Sequence, residues 1–195
     1  EYNGSSWSEV NNMPYVGSNL SGTGTQTAAM AFGGYPNVNT TALYDGTNWT
    51  TSGSLSTGRE LLAGIGVQTA AFGAGGYIRG PETFTTAVES FNGSSWTSAP
   101  SLNTGKYGRC GSGTTSAALA SGGNPTTTAT EEYNGSSWTT VNARPYGAGS
   151  AMGSGTQTSA LNYGGNPAGA VTTTAKYDGT NWSAESAMST ARSMG

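Results

Sequence analysis

The chain has 195 residues, only 9% of them charged, and seven Lys and Arg against ten Asp and Glu leave a net charge of -3. Seven scattered cations cannot neutralise a phosphate track, so a nucleic-acid partner is excluded, and no apolar run approaches the roughly 20 residues a membrane-spanning helix needs. With no histidine and one cysteine, Cys110, there is no intramolecular disulfide, no Cys/His zinc site and no imidazole-based triad, so neither a metal nor a cofactor is expected.

Gly, Ser, Thr, Asn and Ala dominate, a composition that would suggest disorder in a featureless chain. This chain is not featureless. It opens on the phrase Tyr2-Asn-Gly-Ser-Ser-Trp7, which returns at Tyr44 to Trp49, Phe91 to Trp96, Tyr133 to Trp138 and Tyr177 to Trp182. The next fixed mark is a glycine pair, Gly33-Gly34, followed in later units by Gly75-Gly76, Gly122-Gly123 and Gly164-Gly165. From Trp7 to Gly34, Trp49 to Gly76, Trp96 to Gly123 and Trp138 to Gly165 the separation is always 27 residues. From each of those glycines to the next tryptophan it is 15, 20, 15 and 17. A half-unit that admits no insertion beside one that does is the mark of a packed element joined to a free loop, repeated as an array.

Within the unit, the segments ending at the glycine pairs are Ala28 to Phe32, Ala70 to Ala74, Ala117 to Ser121 and Ser159 to Tyr163, each with one large apolar residue at the same place: Met30, Phe72, Leu119 and Leu161. This predicts a strand with one packed face and small neighbours, preceded by another strand before the turn at Thr25-Gln26. After the variable loop, Thr/Val-rich runs such as Val38 to Leu43 lead into the aromatic phrase, whose Asn-Gly or Asp-Gly tolerates positive φ and predicts a tight hairpin. A helical reading fails, because glycine pairs and Thr/Ser-rich flanks are costly inside helices.

Four strands per unit of 42 to 47 residues match propeller blades. The layout of a strand ending in Gly-Gly, a variable loop, then Tyr or Phe and a Trp a few residues on resembles the kelch family, and also the low-charge, Gly/Ser/Thr-rich kelch-like repeats of predicted phage and marine-bacterial surface proteins. Departures exist: the arginine many kelch repeats carry after the tryptophan strand is clear at Arg59 and Arg192, is matched by Lys106, and is replaced by Ala148. The expected fold is therefore all-β, a propeller of four-stranded antiparallel blades at about 15–56, 57–103, 104–145 and 146–189. Residues 1–14 and 190–195 supply partial blade material. That remainder lacks a Gly-Gly strand, and the chain starts at Glu1 without a methionine, so it reads as a piece of a longer ring of five to seven blades.

In this layout Trp7, Trp49, Trp96, Trp138 and Trp182, with Gly34, Gly76, Gly123 and Gly165, are structural, their constant spacing tying them to blade packing. Cys110 reads as a small semi-buried residue. Functional residues are expected where the insertions fall, in the loops after Gly-Gly, because variable loops on a fixed scaffold are where binding resides. The candidates are Tyr35, Tyr77, Arg79, Asn124 and Asn166, the richest loop being Tyr77-Ile-Arg-Gly-Pro-Glu82 with an aromatic, a cation and an anion together. The copper chemistry of the galactose oxidase type of kelch propeller needs histidine ligands, and Glu131-Glu132 would point to opposite faces of a strand, so no enzyme is expected. Two readings follow: a non-catalytic binding module for a glycan or protein on a cell surface or virion, or an assembly module packing against copies of itself or a parent fibre.

Overall fold

The computed structural model describes residues 1–193; residues 194 and 195, the end of the expected C-terminal partial blade, lie outside the described residues. The molecule is all-β: four antiparallel four-stranded sheets and a short two-stranded ribbon, without helices among the described residues. Blade 1 comprises β1 (Ser21–Thr25), β2 (Ala28–Phe32), β3 (Thr41–Tyr44) and β4 (Trp49–Ser52), in spatial order β1-β2-β3-β4. Blade 2 is β5 (Ala63–Val67), β6 (Ala70–Ala74), β9 (Val88–Phe91) and β10 (Trp96–Ala99), with the ribbon β7 (Tyr77–Ile78) and β8 (Thr83–Phe84) inserted after its glycine pair. Blade 3 is β11 (Cys110–Gly113), β12 (Ala118–Ser121), β13 (Thr130–Tyr133) and β14 (Trp138–Val141). Blade 4 is β15 (Met152–Thr156), β16 (Ser159–Tyr163), β17 (Thr174–Tyr177) and β18 (Trp182–Glu185). The four sheets stand around one axis as blades of a β-propeller.

The inner strands explain the abundance of glycine. A Cβ on Gly64 of β5 would lie 2.6 Å from the Gly22 carbonyl oxygen of β1, and one on Gly111 of β11 would lie 2.7 Å from the Gly64 carbonyl oxygen. Blade-to-blade approach along the axis therefore requires a residue with no side chain. The second strands carry the core. Met30, Phe72 and Leu119 are buried, alongside Phe32, Ile65, Phe91, Tyr133 and Tyr177.

The aromatic phrase closes a four-residue loop rather than the tighter hairpin expected, since Tyr44 pairs directly with Trp49 and Tyr133 with Trp138. Only its glycine takes positive φ, as at Gly46 (φ 91°). The Asn or Asp instead accepts backbone N–H bonds: Asp45 Oδ1 from Thr47 (2.8 Å) and Asn48 (2.7 Å), Asn134 Oδ1 from Ser136 and Ser137 (3.0 Å each). The preference for Asn and Asp here is thus acceptor chemistry.

Neighbouring blades are joined by a repeated set of contacts. Gln68 of blade 2 donates to the carbonyls of Ala29 (2.8 Å) and Tyr44 (2.6 Å) in blade 1, and Gln157 of blade 4 donates to Ala118 (3.1 Å) and Tyr133 (2.7 Å) in blade 3. Each tryptophan of blades 2 to 4 packs on the preceding blade: Trp96 on Phe32, Trp138 on Phe72 and Trp182 beside Leu119. Trp49 of blade 1 stacks on its own Tyr44 (5.0 Å between centroids), and Trp7 departs from the packing role expected of it, being 80% exposed. β1 packs along β5, β5 along β11 and β11 along β15, with no comparable packing between β15 and β1 among the described residues.

Candidate functional site

The propeller scaffold places four of the five candidate residues at one structural position. Tyr35, Tyr77, Asn124 and Asn166 each directly follow a glycine pair, and each engages the incoming connection of its own blade through the backbone, at Ser18, Glu60, Tyr107 and Gly149. They therefore lie on one face; a cavity of about 260 Å³ between the inner strands, lined in part by Leu20, Leu62, Arg109, Cys110 and Tyr163, includes none of the four in its lining.

Three of the candidates converge. The ribbon β7–β8 leans towards blade 1, where Asn37 holds it by two bonds: Asn37 Nδ2 donates to the Arg79 carbonyl (2.7 Å) and Arg79 N donates to Asn37 Oδ1 (2.8 Å). This sets the Arg79 guanidinium over the Tyr35 ring, 4.7 Å from its centroid, and 5.4 Å from that of Tyr77. Arg79 Nε donates to Glu60 Oε1, and Asn19 Nδ2 donates to Glu60 Oε2 (2.7 Å). Glu60 is fully buried, so Arg79 is its charge partner, and the hydrogen bond to Glu60 raises the guanidinium pKa further. The Arg79 side chain remains 47% exposed, and its Nη atoms make no protein hydrogen bond among the described residues.

On the other side of Tyr77 the surface continues as an aromatic cluster. Tyr77, Phe84 and Tyr107 lie 5.2 to 5.7 Å apart, ring centroid to centroid, joining the ribbon to the entry of blade 3. The result is a ridge from Tyr35 through Arg79 and Tyr77 to Phe84 and Tyr107, crossing three blades, with Tyr35 and Phe84 exposed at 44% and 40%. Asn124 and Asn166 lie outside this ridge. Asn124 is half-buried, its Nδ2 bonded to Ser150 Oγ (3.4 Å), and Asn166 is exposed, its Oδ1 capping Gly169 N (2.6 Å).

Sequence reasoning missed Asn37, Glu60, Phe84 and Tyr107. Phe84 sits just past the insertion boundary, and Tyr107 lies in a connection of constant length, where loop variability gives no signal. A usable sign was phase: Glu60 and Tyr107 occupy the position of Ser18 and Gly149, so a large or charged side chain there faces the loop after Gly-Gly.

The ridge offers aromatic faces, a forked cation and hydrogen-bonding edges on a rigid frame. Among the described residues no group of three or more His, Cys, Asp or Glu is placed to hold a metal ion, and no helix is long and apolar enough to cross a membrane. The only thiol, Cys110, is fully buried rather than semi-buried, and burial pushes it up to about 11 against the smaller opposing pull of Arg144.

The chain is similar in structure to YjhT, with a TM-score of 0.77 at 12% identity over 94% of this chain and 69% of that one. No family model and no curated protein matches the sequence. The structural likeness establishes the β-propeller fold.

Proposed function

We propose that this protein is a non-catalytic binding module of kelch-like type, presenting the Tyr35–Arg79–Tyr77–Phe84 ridge to a glycan or protein ligand outside the cell, on a cell surface or a virion appendage. The observation that carries the reading is the ridge itself. Exposed aromatic rings are normally scattered singly on a soluble protein, whereas here two exposed rings and a cation stacked on one of them are fixed by hydrogen bonds across a blade boundary. Rigid aromatic faces lose little conformational entropy on binding and suit both the apolar face of a sugar ring and a peptide side chain. The kelch-like assignment rests on the Gly-Gly, Tyr and Trp phase, and the extracellular one on the resemblance of the low-charge composition to surface proteins.

The experiment is a glycan array together with a peptide and protein panel, followed by titration of the best ligand against Tyr35→Ala and Arg79→Ala. Each substitution is expected to weaken binding by about tenfold or more, with the thermal unfolding midpoint of Tyr35→Ala retained because the ring is half in solvent. Undiminished binding by both variants would overturn the site assignment.

A further inference from the structure

Blades 2 and 3 differ in what fills the space beside a buried ion pair. In blade 3, Asn103 N donates to Glu131 Oε2 (2.6 Å), Asn103 Nδ2 reaches the Trp138 carbonyl (3.2 Å), and Thr104 Oγ1 donates to Glu131 Oε1 (2.8 Å). In blade 2, Ser56 takes the place of Asn103, its N donating to Glu89 Oε2 (2.9 Å), and its short side chain goes no further. Thr57, in the place of Thr104, makes no side-chain hydrogen bond among the described residues. The outer strand repeats the trend. Ser98 stands opposite Glu89 where Thr140 stands opposite Glu131, and Ala99 stands opposite Val88 where Val141 stands opposite Thr130. Each of these three positions is smaller in blade 2, and among them, bounded also by Ser101, opens a cleft of about 170 Å³.

The insertion after the second glycine pair completes the cleft. Among the described residues blade 2 alone carries a ribbon. It pairs Tyr77 with Phe84 and Ile78 with Thr83, so successive residues point to opposite faces. Tyr77 and Phe84 build the ridge, while Ile78 and Thr85, on the reverse face, line the cleft. The ribbon is held in place by Asn37 at one end and by Thr85 N donating to the Gly76 carbonyl (3.1 Å) at the other. Deepest in the cleft are Arg59 and Glu89, 1% and 4% exposed. Their charges cancel across a 2.7 Å contact, no other titratable side chain lines the cleft, and Arg59 Nε is buried without a hydrogen-bond partner.

We propose that this cleft binds one neutral polyhydroxylated unit, a monosaccharide or a small polyol. Its volume is several times the roughly 30 Å³ that one water takes in the liquid. The hydroxyls of Ser56, Thr57, Ser98 and Ser101 each donate and accept, which matches the hydroxyls of such a ligand, and Ile78 and Ala99 face its C–H surface. A cancelled ion pair selects neither an anion nor a cation. The site is separate from the ridge and uses neither Tyr35 nor the free Nη atoms of Arg79.

Saturation-transfer NMR, followed by titration calorimetry, on the 195-residue chain tests this with glucose, galactose, mannose, N-acetylglucosamine, glycerol and glucuronate as probes. At least one neutral probe is expected to bind. The double variant Ser56→Asn, Ala99→Val installs the residues of blade 3, fills the cleft, and is expected to weaken that binding by about tenfold or more. Ser98→Thr, at an exposed position, is expected to weaken it in the same direction and reads the cleft even where the double variant unfolds. Tyr35→Ala is expected to leave it unchanged. Silence from every neutral probe, full binding by a folded double variant and by Ser98→Thr, or tighter binding of glucuronate than of glucose overturns the proposal. Loss of the signal in Tyr35→Ala moves the binding to the ridge and overturns it equally.

Discussion

Blades 2 and 3 bury their cations with carboxylate partners, whereas the junction of blades 3 and 4 buries one alone. Arg59 Nη2 meets Glu89 Oε1 at 2.7 Å and Arg109 Nη2 meets Glu131 Oε1 at 2.9 Å, with all four side chains at most 6% exposed. The remaining carboxylate capacity is used: Glu89 Oε2 accepts from Ser56 N (2.9 Å), and Glu131 accepts from Asn103 N (2.6 Å) and Thr104 Oγ1 (2.8 Å). Each pair thereby staples the connection from the previous blade to the third strand of its own. In blade 4 that register position of β17 holds Ala175. Arg144, 3% exposed, stands where the other blades place Leu55, Leu102 and Met188. It donates from Nη2 to the Ala148 carbonyl (2.9 Å) and lies 5.8 Å from the Tyr146 ring centroid, while Nε and Nη1 have no hydrogen-bond partner among the described residues. Burial lowers its pKa, partly offset by the Cys110 thiol beside it. The contrast separates ionic pairs that position chain segments from a desolvated charge that costs stability.

The largest expected effect breaks a complete pair. Glu131→Ala leaves Arg109 buried without its carboxylate and frees the Asn103 and Thr104 donors, so unfolding free energy should fall by about 3–5 kcal/mol. Glu89→Ala should cost a similar amount. Urea unfolding midpoints measure both, and a loss under about 1 kcal/mol would erase the distinction drawn between the blades.

The opposite sign is expected at Arg144. Arg144→Leu installs the residue the other blades use, removes a desolvated cation and should raise stability by about 1–2 kcal/mol. The same denaturation experiment decides it. Destabilisation comparable to that of Glu131→Ala would mean that Arg144 has a compensating anion and belongs with the paired residues.

These pairs also mark where the sequence stops being readable. The blades were legible because the constant spacing from tryptophan to glycine pair reflects a steric fact: inner strands that approach within a Cβ diameter admit no insertion. The ion pairs were not, because Arg59 shares its phase with Lys106, whereas Arg109, the residue that performs the equivalent task in blade 3, lies three positions later. Periodicity cannot show partners that leave their phase. The same limit applies to the ridge. Tyr35, Tyr77 and Arg79 fell in visibly variable loops, but their grouping depends on Asn37 bridging two blades and on Tyr107 arriving from a connection of fixed length. Five tryptophan phrases look alike in sequence, yet Trp96 stacks on Phe32 of the preceding blade whereas Trp7 is 80% exposed.

The smallest expected effect carries the comparison to charges at the surface. Asp45 and Asp178 sit fully exposed in loops where Asn3, Asn92 and Asn134 do the same work without charge. Backbone N–H groups of Asn48 and Thr47, and of Asn181 and Thr180, hold the two carboxyls below the ordinary Asp value of 3.8. A depressed folded pKa means that the stabilisation is complete above the unfolded value and is lost as pH falls through the folded one. The double variant Asp45→Asn, Asp178→Asn should therefore match the wild type at pH 7 and unfold less readily than it below about pH 4, with a shift smaller than that of either buried-charge variant. Thermal midpoints at the two pH values read this directly. Identical acid responses would show that these two loops, like the three with Asn, owe their order to acceptor geometry alone.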